Sequence, residues 1–454
     1  MSESEASRVI LRSSIDDLHA LYEKREVSPV EVLEAVLERL EQLEPRLNAF
    51  VTMLPEEARK QAKEAENLFS KGEPTSKLTG IPVSIKDIFM TDGIRTTVGS
   101  RIMKDHVPDY DASVYTVLKS SGAVVFGKNN MLEFAYGFVH PDYGQCNNPW
   151  DTNRTAGGSS SGSASSVAAG IGHASIGTDT GGSIRIPASF CGIVGLKPTY
   201  EAVSREGCFP LSHTLDHVGP LTRTVRDNAA LMEILAPTIP LSGFRSGQSA
   251  AGIRVGVISN LMGDPLGREV RSLVESAIHS LRDLGAEVTD VRVPGIEAVH
   301  DTAMPILLTE ASYHHTRWYP ERADDYADGT RANLAEGFKV SGVDYVEALH
   351  ERRRFTQTVD RIFDDVDVLV CPTAPFTATE TDPDFEGGAI DYILRTVPFD
   401  VTGHPALTVP VGNTESQNLP AGMELIADRQ REDTLYRLAA AYEEHMGGFA
   451  RPPL

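Results

Sequence analysis

The chain has 454 residues, 41% of them hydrophobic, enough to bury a large core. Its formal net charge of -22 at pH 7 argues against direct contact with nucleic acid, a polyanion. Four widely spaced cysteines (Cys146, Cys191, Cys208, Cys371) with no CxxC pair fit a reducing cytoplasm and offer no zinc pattern.

The N-terminus lacks a basic head followed by an apolar core, and no run of about 18 apolar residues occurs, so neither a signal peptide nor a membrane span is expected. Residues 14–66 carry helical patterns. Ser28-Pro29-Val30-Glu31 joins an N-cap, a first-turn proline and an acid three residues on. Val32, Leu33, Val36, Leu37, Leu40 and Leu43 follow at helical spacing, and Pro45 is expected to end the run. Pro55 with Glu56-Glu57 opens another helix. Residues 78–89 read as a buried strand interrupted by Lys86. A strand lysine ordinarily reaches solvent; a buried one loses stabilisation of its charge and becomes available as a base.

Residues 111–119 predict a helix and 122–127 a short buried strand, followed by a turn-rich run to Arg154. Beyond the central segment, 211–220 reads as a loop and 225–235 as a helix. Residues 253–258, 268–284 and 287–293 make a β–α–β unit without a GxGxxG turn, so no dinucleotide site is indicated. Helices are expected over 303–319 and 333–363, a short strand over 366–371, a loop over 377–388, paired strands at 407–411 and 423–427, and a closing helix over 432–444. One α/β domain over 1–454 is the economical reading.

The chain is organised around residues 156–197. Two Gly/Ser runs, Gly157-Gly158-Ser159-Ser160-Ser161-Gly162 and Gly181-Gly182-Ser183, enclose a small-residue segment. The composition would suit a flexible linker, but Val167, Ala168, Ala169, Ile171 and Ile176 follow at once and demand packing. Such a segment offers hydroxyls and free backbone N–H groups in one place. It is no phosphate loop, because Ser163 stands where GxxxxGK[ST] needs lysine. Gly158 to Gly162 does match the GxSxG nucleophile elbow, yet a turn-forming run rather than an evident strand precedes it, and only His217 and His404 are nominees for its base.

Several blocks, in order, resemble the amidase signature family over most of the chain: Gly80-Ile81-Pro82-Val83-Ser84-Ile85-Lys86-Asp87, Glu133-Phe134-Ala135-Tyr136-Gly137, Gly157 to Ala164, Gly177-Thr178-Asp179-Thr180-Gly181-Gly182-Ser183-Ile184-Arg185, Gly195-Leu196-Lys197-Pro198-Thr199 and His404 to Pro410. The resemblance implies a large central mixed β-sheet flanked by helices on both faces, with a helical segment at 14–66 packed on a signature core at 78–222. It implies a Ser–Ser–Lys triad: Ser183 the nucleophile, Ser159 the bridging serine, whose peptide bond the family holds in cis, and Lys86 the base. Ser160 matches a supporting hydroxyl, and Ser161 stands where many members carry glycine. The backbone N–H groups of Thr180, Gly181, Gly182 and Ser183 would form the oxyanion hole. Neither a metal nor a cofactor is implied.

The chemistry makes its own demands. A serine hydroxyl needs a base within hydrogen-bond reach. A lysine titrating near ~10.4 must fall close to neutrality to serve, at a cost of ~4 kcal/mol, which burial among Val83, Ile85 and Ile88 would help supply. Each oxyanion donor is worth roughly 3–4 kcal/mol. Activity should rise toward alkaline pH. The expected substrate is a small amide, anilide or carbamate, so a urethane bond qualifies. Specificity would reside in 131–143, 304–319 and 382–401, with Tyr136, Phe138 and Trp318 lining the pocket. Two other readings stand: the glutaminase (A-type) subunit of a tRNA-dependent amidotransferase, which needs partner subunits, and a catalytically silent binding protein. A homodimer would be an ordinary assembly.

Overall fold

The computed structural model describes residues 10–241, 244, 249–382 and 392–454. The chain enters through capped helices. At the start of Pro29–Leu47 the Ser28 hydroxyl accepts the Glu31 N–H and the Glu31 carboxylate accepts that of Ser28, the reciprocal cap the sequence predicts. Pro45 does not end this helix. It lies inside it, and the stop comes at Asn48, whose φ of 51° is left-handed. A proline in the last turn removes a single N–H; the cap decides the end.

The strands are β1 (Phe50–Met53), β2 (Pro82–Lys86), β3 (Val124–Asn129), β4 (Asn147–Asn148), β5 (Asp151–Thr155), β6 (Ala174–Asp179), β7 (Val194–Lys197), β8 (His217–Thr222), β9 (Arg254–Ile258), β10 (Glu287–Val291), β11 (Val368–Pro372), β12 (Ala406–Asn413) and β13 (Pro420–Ala427). Eleven of them form one mixed sheet in the order β1-β3-β2-β6-β8-β7-β12-β13-β11-β9-β10, while β4 and β5 pair separately. β3, β2 and β6 run parallel, as do β11, β9 and β10; the strands between them pair antiparallel.

Helices flank the sheet on both faces, and the central strands record it: every residue of β2, β3, β6 and β8 is buried. β10, at one edge, has no buried residue. No helix among the described residues is long and apolar enough to cross a membrane.

Several expectations change. Residues 14–66 are not helical throughout, because β1 intervenes and pairs with β3. The turn-rich run before Arg154 contains β4 and β5. The loop expected at 211–220 gives way at His217 to β8, which sits between β6 and β7. Gly219 and Pro220 disguise this strand, and Gly219 is needed there because a Cβ would meet the Leu196 carbonyl. The helix expected at 333–363 is two, Asp328–Gly337 and Gly342–Ile362, the second started by a capping box at Ser341 and Asp344. Of the loop expected at 377–388, residues 383–388 lie outside the described residues.

Candidate active site

β2 and β6 are parallel neighbours, so their carboxyl ends lie side by side, the edge where open α/β sheets place ligands. β2 ends on Lys86, and β6 ends on Thr178 and Asp179. Lys86 is fully buried. Its Nζ lies 2.8 Å from Ser159 Oγ, 3.0 Å from Ser160 Oγ and 2.8 Å from Thr178 Oγ1. Burial dominates its titration and pulls the amine from 10.5 down to about 7, against the opposing influence of Cys208, Asp179 and Asp216.

Ser159 and Ser160 reach Lys86 because the helix Ser161–Ala168 is buried along its whole length. It is built of Gly, Ser, Ala and Val, and a Cβ at Gly162 would meet the backbone of Ala49 and Asn130. The Gly158–Ser159 peptide is cis. The Ser160 hydroxyl donates to the Thr178 carbonyl at 3.1 Å and accepts the Thr178 N–H at 3.3 Å. It is therefore committed to β6 and is no free nucleophile. Although β5 and the helix supply strand, turn and helix around Gly158 to Gly162, the elbow has no histidine: His217 bonds the Leu215 carbonyl, and His404 lies beside Thr402 and Asp360.

The second Gly/Ser run is fixed by Asp179. Its carboxylate accepts the backbone N–H groups of Gly182 (2.6 Å), Ile184 (3.0 Å) and Arg185 (3.3 Å). Burial raises this carboxyl, but the adjacent Arg185 charge and these hydrogen bonds outweigh it and hold it below its ordinary range. Gly182 has φ +130°, and a Cβ there would strike Thr396, whose hydroxyl donates to the Gly181 carbonyl at 2.6 Å.

The four N–H groups expected to form an oxyanion hole differ in their partners. The Gly182 N–H is already spent on Asp179, whereas those of Thr180, Gly181 and Ser183 make no hydrogen bond among the described residues. The loop borders a cavity of about 70 Å³ whose walls include Ser159, Thr180, Gly181, Gly182 and Ser183. Ser183 is partly exposed there, and its hydroxyl bonds to nothing among the described residues. A buried amine touching a bridging hydroxyl, with a second serine on the same cavity, is an arrangement suited to acyl transfer.

A family model described as Amidase matches residues 31–436. The chain belongs to the amidase signature family. By sequence it is 37% identical over 477 residues to the A-type subunit of the glutamyl-tRNA(Gln) amidotransferase of Heliobacterium modesticaldum, covering 96% of this chain and 97% of that one. Among solved structures it resembles an amidase, at 34% identity and TM-score 0.87, over 95% of this chain and 100% of the other. It also resembles the native peptide amidase of Stenotrophomonas maltophilia, at 29% identity and TM-score 0.83, over 97% and 98%.

In this amidase signature chain the three aromatics expected in the pocket part company. Tyr136 lines the cavity, and its hydroxyl has no partner among the described residues. Phe138 is half-buried and packs on Gly329. Trp318 stacks on Phe209, centroids 6.0 Å apart, and borders a different hollow. Thr178 beside Lys86, Thr396 beside Gly181 and Asp382 on the cavity wall are residues that the sequence alone does not single out. Thr178 and Asp179 sit inside one of the family blocks, and their position at a strand end just before two glycines is a usable signal. Asp382 and Thr396 are about 200 residues further along, inside the segment 382–401 expected to carry specificity, but nothing local marks these two within it.

Proposed function

We propose that the chain hydrolyses the C–N bond of a small amide through an acyl-enzyme on Ser183. One observation carries this: a fully buried lysine, lowered to about 7, that touches a serine opening on the cavity that Ser183 also lines. Neutral Lys86 takes a proton from Ser159 as Ser159 takes one from Ser183. The Ser183 oxygen bonds to the carbonyl carbon. The resulting oxyanion is met by the N–H groups of Thr180, Gly181 and Ser183. On collapse the C–N bond breaks, and the proton returns through Ser159 to the leaving nitrogen. Water repeats the cycle and releases the acid. Anilides and carbamates present the same attack geometry.

A narrower reading is favoured over a free-standing amidase by the curated relatives, which are named as the A-type subunit of a glutamyl-tRNA(Gln) amidotransferase. On that reading glutamine is the amide, and the chain works with partner subunits. A silent binding role is opposed by the retention of Lys86, Ser159 and Ser183 together.

The test has two parts. A fluorophosphonate should label wild-type protein on Ser183 and leave Ser183→Ala unlabelled; absence of any adduct together with no turnover of p-nitroanilides, primary amides and nitrophenyl carbamates would defeat the hydrolase reading. Glutaminase activity, measured with co-purifying subunits present, decides for the amidotransferase.

A further inference from the structure

The cavity beside Ser183 is unusual in its charge. Most of its wall is apolar: Leu132, Ala135, Ile186, Leu211, Leu307 and Ile393. The Tyr136 hydroxyl belongs to a buried side chain of that wall and has no partner among the described residues. The charged side chain lining the cavity is Asp382, whose Oδ1 accepts the Thr155 hydroxyl at 2.7 Å. No lysine, arginine or histidine lines it among the described residues.

From this we infer that the site selects amides whose far end is uncharged or cationic, and that Asp382 is the specificity-determining residue that turns carboxylates away. The inference rests on the proposed hydrolysis at Ser183. A carboxylate entering an apolar cavity gives up its hydration, finds no cation to pair with and meets a like charge. An ammonium instead pairs with Asp382, and an ammonium or amide N–H gives the Tyr136 hydroxyl a donor. Discrimination of this kind comes from the repulsive element as much as from the attractive one. Free glutamine carries an α-carboxylate that this wall leaves unpaired, so the inference bears directly on the amidotransferase reading.

The experiment compares four primary amides on the purified full-length chain: pentanamide, 5-aminopentanamide, glutaramate and L-glutamine. Wild type should give kcat/KM for 5-aminopentanamide at least about tenfold above glutaramate, with pentanamide between. Asp382→Asn should shrink the cationic-to-anionic kcat/KM ratio by about tenfold, read as a ratio within the variant so that any change in its overall rate cancels. Glutaramate or glutamine turned over as well as pentanamide by wild type overturns the inference, as does a ratio that Asp382→Asn leaves unmoved.

A binding arm separates this from failure of the hydrolase reading. Calorimetry on Ser183→Ala with pentylammonium and pentanoate reads the charge preference without turnover. Tighter pentylammonium binding that Asp382→Asn abolishes supports the inference even if no amide is cleaved. Equal binding of the two ions defeats it even if amides are cleaved.

Discussion

Two buried cations sit close to the same loop and behave in opposite ways. Lys86 and Arg185 are both fully buried. Lys86 is met by three neutral hydroxyls, on Ser159, Ser160 and Thr178. Arg185 is met by three carboxylates, Asp179 at 2.9 Å, Asp400 at 2.5 Å and Glu424 at 2.6 Å. Burial disfavours charge on both. With no carboxylate in contact, and only the weaker opposing influence of Cys208, Asp179 and Asp216, burial brings the lysine down to about 7; around the arginine the carboxylates in contact overcome it, and the guanidinium is held well above its ordinary value. The same dry surroundings thus yield a base in one place and a strut in the other. The partners decide which.

The largest effect expected from breaking this contrast is on turnover. Ser183→Ala removes the proposed nucleophile, and Lys86→Arg replaces the proposed base with a group that stays charged. Each should lower kcat/KM by a factor on the order of 10³ or more with the fold intact by circular dichroism. A Lys86→Arg protein within tenfold of wild type would show that no neutral amine is needed. The next effect falls on stability. Arg185→Met strands Asp179, Asp400 and Glu424 without their shared cation and unties the loop that carries Ser183, at a cost of about 3–5 kcal/mol in urea unfolding.

Lys86→Met should move stability the other way. Its folded value of about 7 lies below the ordinary 10.5. Below about pH 7 the folded protein must hold a proton on a buried amine that the unfolded chain holds freely, so the native lysine costs stability in full there. Between about 7 and 10.5 the unfolded chain binds more protons than the folded one, and stability rises with pH until the cost is gone. The methionine variant should therefore be more stable by roughly 2–4 kcal/mol near pH 6–7, with the gain fading toward pH 10. A gain that does not depend on pH, or a loss at pH 6, would mean that the lysine is held as a structural cation like Arg185.

How far this contrast is readable before folding differs between its halves. Lys86, Ser159 and Ser183 sit in contiguous blocks whose composition demands packing, and a lysine in an apolar strand already poses the question of its charge. The mixed sheet follows from the same blocks and from the apolar runs between them. Arg185 is different. Its partners Asp400 and Glu424 lie more than 200 residues away, on a helix and on β13, and they meet it only because the sheet folds back. Phe138 and Trp318 look like pocket aromatics in the sequence, but which side of a loop or helix end faces the cavity is settled by tertiary packing. β8 is hidden because the glycine that close packing requires and the proline beside it both imitate a turn.

The smallest effect sharpens the comparison most, because it changes one partner of Lys86 without removing the amine. A charged Lys86 has three protons for three hydroxyl oxygens; a neutral one has two protons and a lone pair that some hydroxyl must fill. Ser160 already donates to the Thr178 carbonyl, so it only accepts from the amine. Filling the lone pair falls to Ser159 or Thr178. Thr178→Val deletes one acceptor of the ammonium and leaves Ser159 as the donor to the neutral amine, the arrangement the proposed reaction needs. Thr178 accepts an N–H from the amine in both forms, but the bond from the charged amine is the stronger by about 1 kcal/mol, so its loss favours the neutral form and lowers the amine further. The acid limb of the kcat/KM profile should then move to lower pH by roughly half a unit or more, with the plateau reduced less than tenfold. A limb that stays in place, or moves toward alkaline pH, would mean that Thr178 serves the neutral amine instead, and that it, not Ser159, fills the lone pair at rest.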